Sequence, residues 1–98
     1  MRKRYVGKAL TNERKYPHIV ELTIAVDGLD AALGRRIIEF HNSRHIRLRH
    51  GRRIVRQGNV YYRWCFSDPV SARGFIEEFG GALWKPSFEL GGRATHAR

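Results

Sequence analysis

The densest chemistry in this chain is the run "RHIRLRHGRRIVR", residues 44–56, with six arginines and two histidines in thirteen positions. A planar guanidinium matches a phosphate or carboxylate with a two-pronged fork and stacks on flat rings; a lysine ammonium does neither. Extended, the run projects Arg47 and Arg49 together, away from Ile46, Leu48 and His50. Such a row of like charges is costly unless water or an anion meets it, and it can track a phosphate backbone by releasing counterions. Just downstream lie Tyr61 and Arg63, an aromatic beside a guanidinium, which is a pairing that stacks an unpaired base. Arg44, Arg47, Arg49, Arg52, Arg53, Arg56, Tyr61 and Arg63 therefore form the candidate surface for RNA or DNA. The alternative for the same charges is a solvated basic surface, some of it paired to acids of a second copy.

The other reactive side chains point away from catalysis. There is no glycine-rich phosphate loop, no paired-cysteine metal motif and no nucleophile elbow. Cys65 is the single cysteine, and neighbouring arginines would favour its thiolate, but the sequence places no base beside it. His41 and His45 are four apart and would share a face of a continued helix, with His50 not far. No third ligand is evident and the arginines around them repel a divalent cation, so they read as solvated histidines that add positive charge when protonated. Glu77 and Glu78 are adjacent and diverge on a helix, which is no acid–base pair. The expectation is a binding protein without catalytic residues, metal or cofactor.

Composition fits that reading. The 98 residues carry a net charge of +10, with 19 basic and 9 acidic side chains. The charge is unevenly placed: net +5 over residues 1–16, −3 over 17–34, +7 over 35–56 and +1 over 57–98. A lone cysteine excludes an intrachain disulfide and suits a reducing compartment. The basic opening "MRKRYVGKAL" is followed by no apolar stretch of the kind a secretory signal needs, and no run approaches a membrane span. A cytoplasmic location without membrane attachment is the expectation.

These side chains need elements to hold them. In "HIVELTIAV", residues 18–26, Val20, Leu22, Ile24 and Val26 alternate with polar or small residues, which predicts a half-buried strand. Asp27 or Asp30 can then cap a helix whose apolar stripe is Leu29, Leu33, Ile37 and Phe40, ending near Asn42 or Arg44. Residues 44–52 read equally as a helical continuation or an edge strand. Gln57-Gly58-Asn59 marks a hairpin turn between strands at about 53–57 and 60–66. In the second strand Val60, Tyr62, Trp64 and Phe66 share the core face; Tyr61, Arg63 and Cys65 share the other. Ser67 or Asp68 caps a second helix with Pro69 in its first turn and Ala72, Phe75, Ile76 and Phe79 as its buried stripe. Gly80-Gly81 stops it, and "ALW" at 82–84 is a short strand.

Strand, helix, strand, strand, helix, strand is the order of an α+β, ferredoxin-like βαββαβ domain, an antiparallel sheet with two helices packed on one face. The run "WCFSDPVSARGFIEEFGG" resembles the third strand and second helix of RNA-recognition-motif domains, which share this order; the likeness covers about a fifth of the chain. The aromatic RNA-stacking positions of that family are not reproduced, so no binding residue follows from the resemblance. The organisation expected is a basic flexible arm at 1–16, a single α+β domain at 17–86 and a flexible tail at 87–98. The second sheet face would stand open, lined by Ala25, Tyr61 and Cys65, and would be covered in a homodimer.

Overall fold

The computed structural model describes residues 2–25 and 27–84, with side chains from residue 7 onward. The elements are α1 (Arg2–Lys15), β1 (His18–Ile24), α2 (Ala31–Ser43), β2 (Ile54–Arg56), β3 (Asn59–Phe66), α3 (Pro69–Phe79) and β4 (Ala82–Trp84). The four strands make one sheet in the order β2-β3-β1-β4, every neighbouring pair antiparallel. The fold is thus α+β, with a four-stranded antiparallel sheet and three helices among the described residues. Val26 and the expected tail at 87–98 lie outside those residues.

Local chemistry places the boundaries. The Asp30 carboxylate accepts from the Leu33 N–H at 3.1 Å and starts α2; the Asp68 carboxylate accepts from the Ser71 N–H at 2.9 Å and starts α3, with Pro69 next. Each satisfies an orphan donor of a first helical turn. α2 ends because His45 adopts a left-handed backbone, φ 56°. The Ile46 N–H then reaches back to the His41 carbonyl and the His45 N–H to Asn42, a Schellman closure. Residues 44–52 therefore do not continue the helix. Gln57 and Gly58, at φ 51° and 82°, form the two-residue turn between β2 and β3. Two successive positive φ values give the primed turn whose twist matches the strands it joins.

The core lies between the sheet and the pair α2 and α3. Val20, Ile24, Trp64 and Phe66 of the strands meet Ile37, Phe40, Ala72 and Phe75 of the helices, all buried. Its aromatic rings contact one another edge-on and tilted, as in Trp64–Phe75 at 5.1 Å and Phe40–Phe75 at 5.6 Å between centroids. The alternation read from β1 and β3 thus has the correct face inward. The chain leaves α3 through Gly81, φ 92°, and lays β4 beside β1. A Cβ at Gly81 would lie 2.5 Å from the Glu21 carbonyl oxygen, so this close return needs glycine.

The opposite sheet face is closed over part of its area, while Thr23 and Ala25 on it are exposed. Ile19 and Cys65 on it are fully enclosed, and Arg63 is only 3% exposed. The stretch expected as a basic arm is helical over Arg2–Lys15, and Glu13, in its last turn, is buried against this face.

Candidate functional site

Residues 47–52 run along the outer edge of β3 beyond β2. The Gly51 N–H donates to the Arg63 carbonyl at 2.8 Å, and the Cys65 N–H donates to the Arg49 carbonyl at 2.9 Å. His50 pairs with Trp64, whereas Ile54 pairs with Tyr61, so three residues of one strand face two of the other. That extra residue is a bulge, which bends an edge strand and re-aims its side chains. It falls at Gly51–Arg53 and turns Arg52 toward the second sheet face.

There the Arg52 N–H donates to Glu13 Oε2 at 2.6 Å, and Arg52 Nη2 and Nε donate to Oε1 at 2.8 and 3.2 Å. Arg63 Nη1 donates to the same Oε1 at 3.0 Å. Arg63 Nε donates to Glu21 Oε2 at 2.9 Å, and Arg56 grips Glu21 with both terminal nitrogens at 2.7 and 3.1 Å. The result is a continuous chain Arg52–Glu13–Arg63–Glu21–Arg56, three cations against two anions. Burial alone pushes the Glu13 carboxyl up, but hydrogen bonds from Arg52 and the charge of Arg63 more than offset it and hold it below its ordinary range. Glu21 is held down in the same way by Arg56 and Arg63, again against burial. Gly51 permits the cradle, because a Cβ there would meet Glu13 Oε2 at 2.7 Å and Arg63 Cβ at 2.9 Å.

The eight predicted surface residues therefore divide. Arg63 is a correction: it points to the face expected to be open, but it is buried between two carboxylates and capped by the Trp84 ring at 3.9 Å. Arg52 and Arg56 keep part of their surface yet are paired. Tyr61 is half-buried beneath the Arg56 guanidinium, 4.2 Å from its ring centre. Arg44, Arg47, Arg49 and Arg53 have no carboxylate partner among the described residues. Arg47 and Arg53 are exposed, while Arg49 is half-buried over the Tyr16 ring at 3.9 Å. Arg44 stands apart on the helical layer, 4.1 Å over Phe40. The structure thus gathers Arg49, Arg52, Arg56, Tyr61 and Arg63 around the end of α1 and the β2–β3 edge, and leaves Arg44 elsewhere.

His41 and Cys65 are placed differently from the sequence reading, whereas His45 and His50 are exposed as expected. His41 is not solvated: it is 1% exposed and stacks on Phe66 at 5.5 Å. Its Nδ1–H donates to the Ile37 carbonyl at 2.8 Å. Its Nε2, like the buried Trp64 Nε1–H, has no hydrogen-bond partner among the described residues. Burial pushes the His41 imidazole below its ordinary value, so it is a neutral core side chain. Among the described residues no three histidine, cysteine or acidic side chains converge as metal ligands. Burial pushes the Cys65 thiol up to about 12, far from a reactive thiolate.

Sequence reasoning missed Glu13, Glu21 and Tyr16. Glu13 carried a signal, being the one acid among six basic residues in 1–16. Glu21 faces Arg63 directly across β1–β3, but only the strand register shows it. No protein-family model matches the chain, and no curated protein and no solved structure matches it. Among the described residues, no helix is long and apolar enough to cross a membrane.

Proposed function

We propose that this protein is a non-catalytic module that binds the phosphate backbone of RNA or DNA through the arginines of residues 44–56. The observation that carries the reading is the division of that run. Arg52 and Arg56 are already neutralised, while Arg44, Arg47, Arg49 and Arg53 hold four positive charges without a carboxylate partner among the described residues. Uncompensated guanidinium groups on one segment raise the local potential that attracts and orients a polyanion. Tyr16 and Tyr61, each under a guanidinium, add flat surface beside them. The strand order β2-β3-β1-β4 with two helices between strands supports reading the scaffold as ferredoxin-like with α1 added.

Fluorescence anisotropy with labelled single-stranded RNA, single-stranded DNA and duplex DNA over a range of salt tests this. Three phosphate contacts, from Arg47, Arg49 and Arg53 with Arg44 standing apart, predict a slope of log K against log salt of about −2.1 for single strands and about −2.7 for duplex. Replacing Arg47, Arg49 and Arg53 by serine should abolish most of the binding, and Arg44→Ser alone should change it little. Affinity that survives the triple replacement, or that ignores salt, ends the proposal.

A further inference from the structure

The Glu13 carboxylate occupies a cradle built for an anion. One main-chain N–H and three guanidinium N–H groups from two arginines converge on its two oxygens at 2.6–3.2 Å. A glycine stands where any side chain would close the space. This donor set, a backbone amide with forked guanidiniums, recognises a carboxylate or a phosphate alike. The carboxylate filling it comes from a helix that, among its described side chains, is held by little else. Among the described side chains of α1, Glu13 is the only buried one; Ala9, Leu10 and Asn12 are half-buried and the rest exposed. Among the described residues the other polar ties are the Asn12 amide donating to the His50 carbonyl at 2.9 Å and the stacking of Arg49 on Tyr16, just beyond the helix.

We propose that the Arg52–Arg63 cradle is a phosphate site kept closed by the chain's own Glu13, and that α1 undocks when a nucleic-acid phosphate takes the carboxylate's place. The inference rests on the nucleic-acid reading above and adds two arginines and a moving helix to it. A phosphate brings the negative charge that Glu13 removes, so Arg63 stays compensated through the exchange. The freed carboxylate returns to water and recovers the hydration it lost on burial. The helix that leaves carries Lys8, Arg14 and Lys15, which favour its staying near the bound strand.

Cys65 reports the opening. It is the only cysteine, it is fully buried, and it lies on the same face as Arg63, within the field of Glu13. The rate of its modification by neutral N-ethylmaleimide should rise about tenfold when single-stranded RNA saturates the native chain, because labelling follows the open population. Glu13→Gln should raise that rate to a similar degree without RNA and tighten RNA binding about tenfold, since the closed state no longer competes. RNA that binds in the expected salt-dependent way but leaves labelling unchanged or slower overturns the strap and leaves the proposed function standing. No binding of RNA or of DNA by either chain removes both, and binding of DNA alone moves the labelling test to single-stranded DNA. Thermal unfolding checks that Glu13→Gln is folded; should it not be, labelling of the native chain at saturating RNA decides alone.

Discussion

Arg63→Met tests whether the buried ion chain holds the second sheet face. The guanidinium is 3% exposed and bridges Glu13 at 3.0 Å and Glu21 at 2.9 Å. Methionine keeps an unbranched apolar stem against Trp84 but supplies no charge. Removing one partner of a buried ion pair typically costs about 3–5 kcal/mol, because the charge left behind is uncompensated. Here each carboxylate keeps one arginine, Arg52 for Glu13 and Arg56 for Glu21. That places the loss at the lower end, about 3 kcal/mol. For a domain near this size a loss of that order lowers the melting temperature by about 12–24 °C. In urea it moves the midpoint by about 1–3 M for a slope of about 1–3 kcal/mol/M. Fluorescence of Trp64 and Trp84 follows both transitions, and the pair of residues reports the two sheet faces together. Adding Glu21→Gln to Arg63→Met should recover part of the loss, since it removes a buried charge that has lost a partner. A single variant melting within about 3 °C of the native chain, less than 1 kcal/mol, would refute the idea that this network stabilises the fold.

Stability should also fall with acid in two stages. His41 has a folded value below its ordinary 6.5, so the unfolded chain binds the extra proton; stability is full above 6.5 and is lost as pH falls through the folded value. Glu13 and Glu21 are lowered from 4.5, so their contribution is present above 4.5 and lost as pH falls through their folded values. Urea midpoints measured at a series of pH values should show both limbs, and His41→Phe should shrink the upper one, leaving the part due to His50, which partial burial also lowers; an unchanged upper limb would exclude His41 as a source. Trp64→Ala should cost about 3–5 kcal/mol, because the indole is fully buried against Phe75; calorimetry showing a native midpoint would mean the core is built on other contacts.

Much of the scaffold is legible in the sequence because its signals are local. The cap at Asp68 with Pro69 behind it, the stop at Gly80-Gly81 and the alternation in β3 each depend on residues a few positions apart. The alternation also identified which residues face α2 and α3, since period two leaves one choice of inward face. The site was legible in part. Arg47, Arg49 and Arg53 are where a basic edge segment would put them, but Arg63 is not. Its face was read as open because pattern alone shows that Tyr61, Arg63 and Cys65 point one way and says nothing of what arrives from elsewhere in the chain. The bulge at Gly51–Arg53, which turns Arg52 inward, has no sequence mark beyond the glycine. His41 was assigned to solvent for a related reason: a neutral imidazole can serve as a core side chain when a helical carbonyl accepts its proton.

The amino-acid sequence by itself determined the kinds and order of the elements from β1 to β4, though not the helix α1, together with the inward side of the sheet and an excess of arginine over residues 44–56. Those follow from periodicity, caps and composition, which act over a few residues. Only the tertiary structure decided which arginines remain without a partner. Glu13 lies 39 residues from Arg52 and 50 from Arg63, and Glu21 lies 35 from Arg56. Charge compensation depends on distances of about 3 Å in space, and nothing local in the chain encodes which distant carboxylate will arrive.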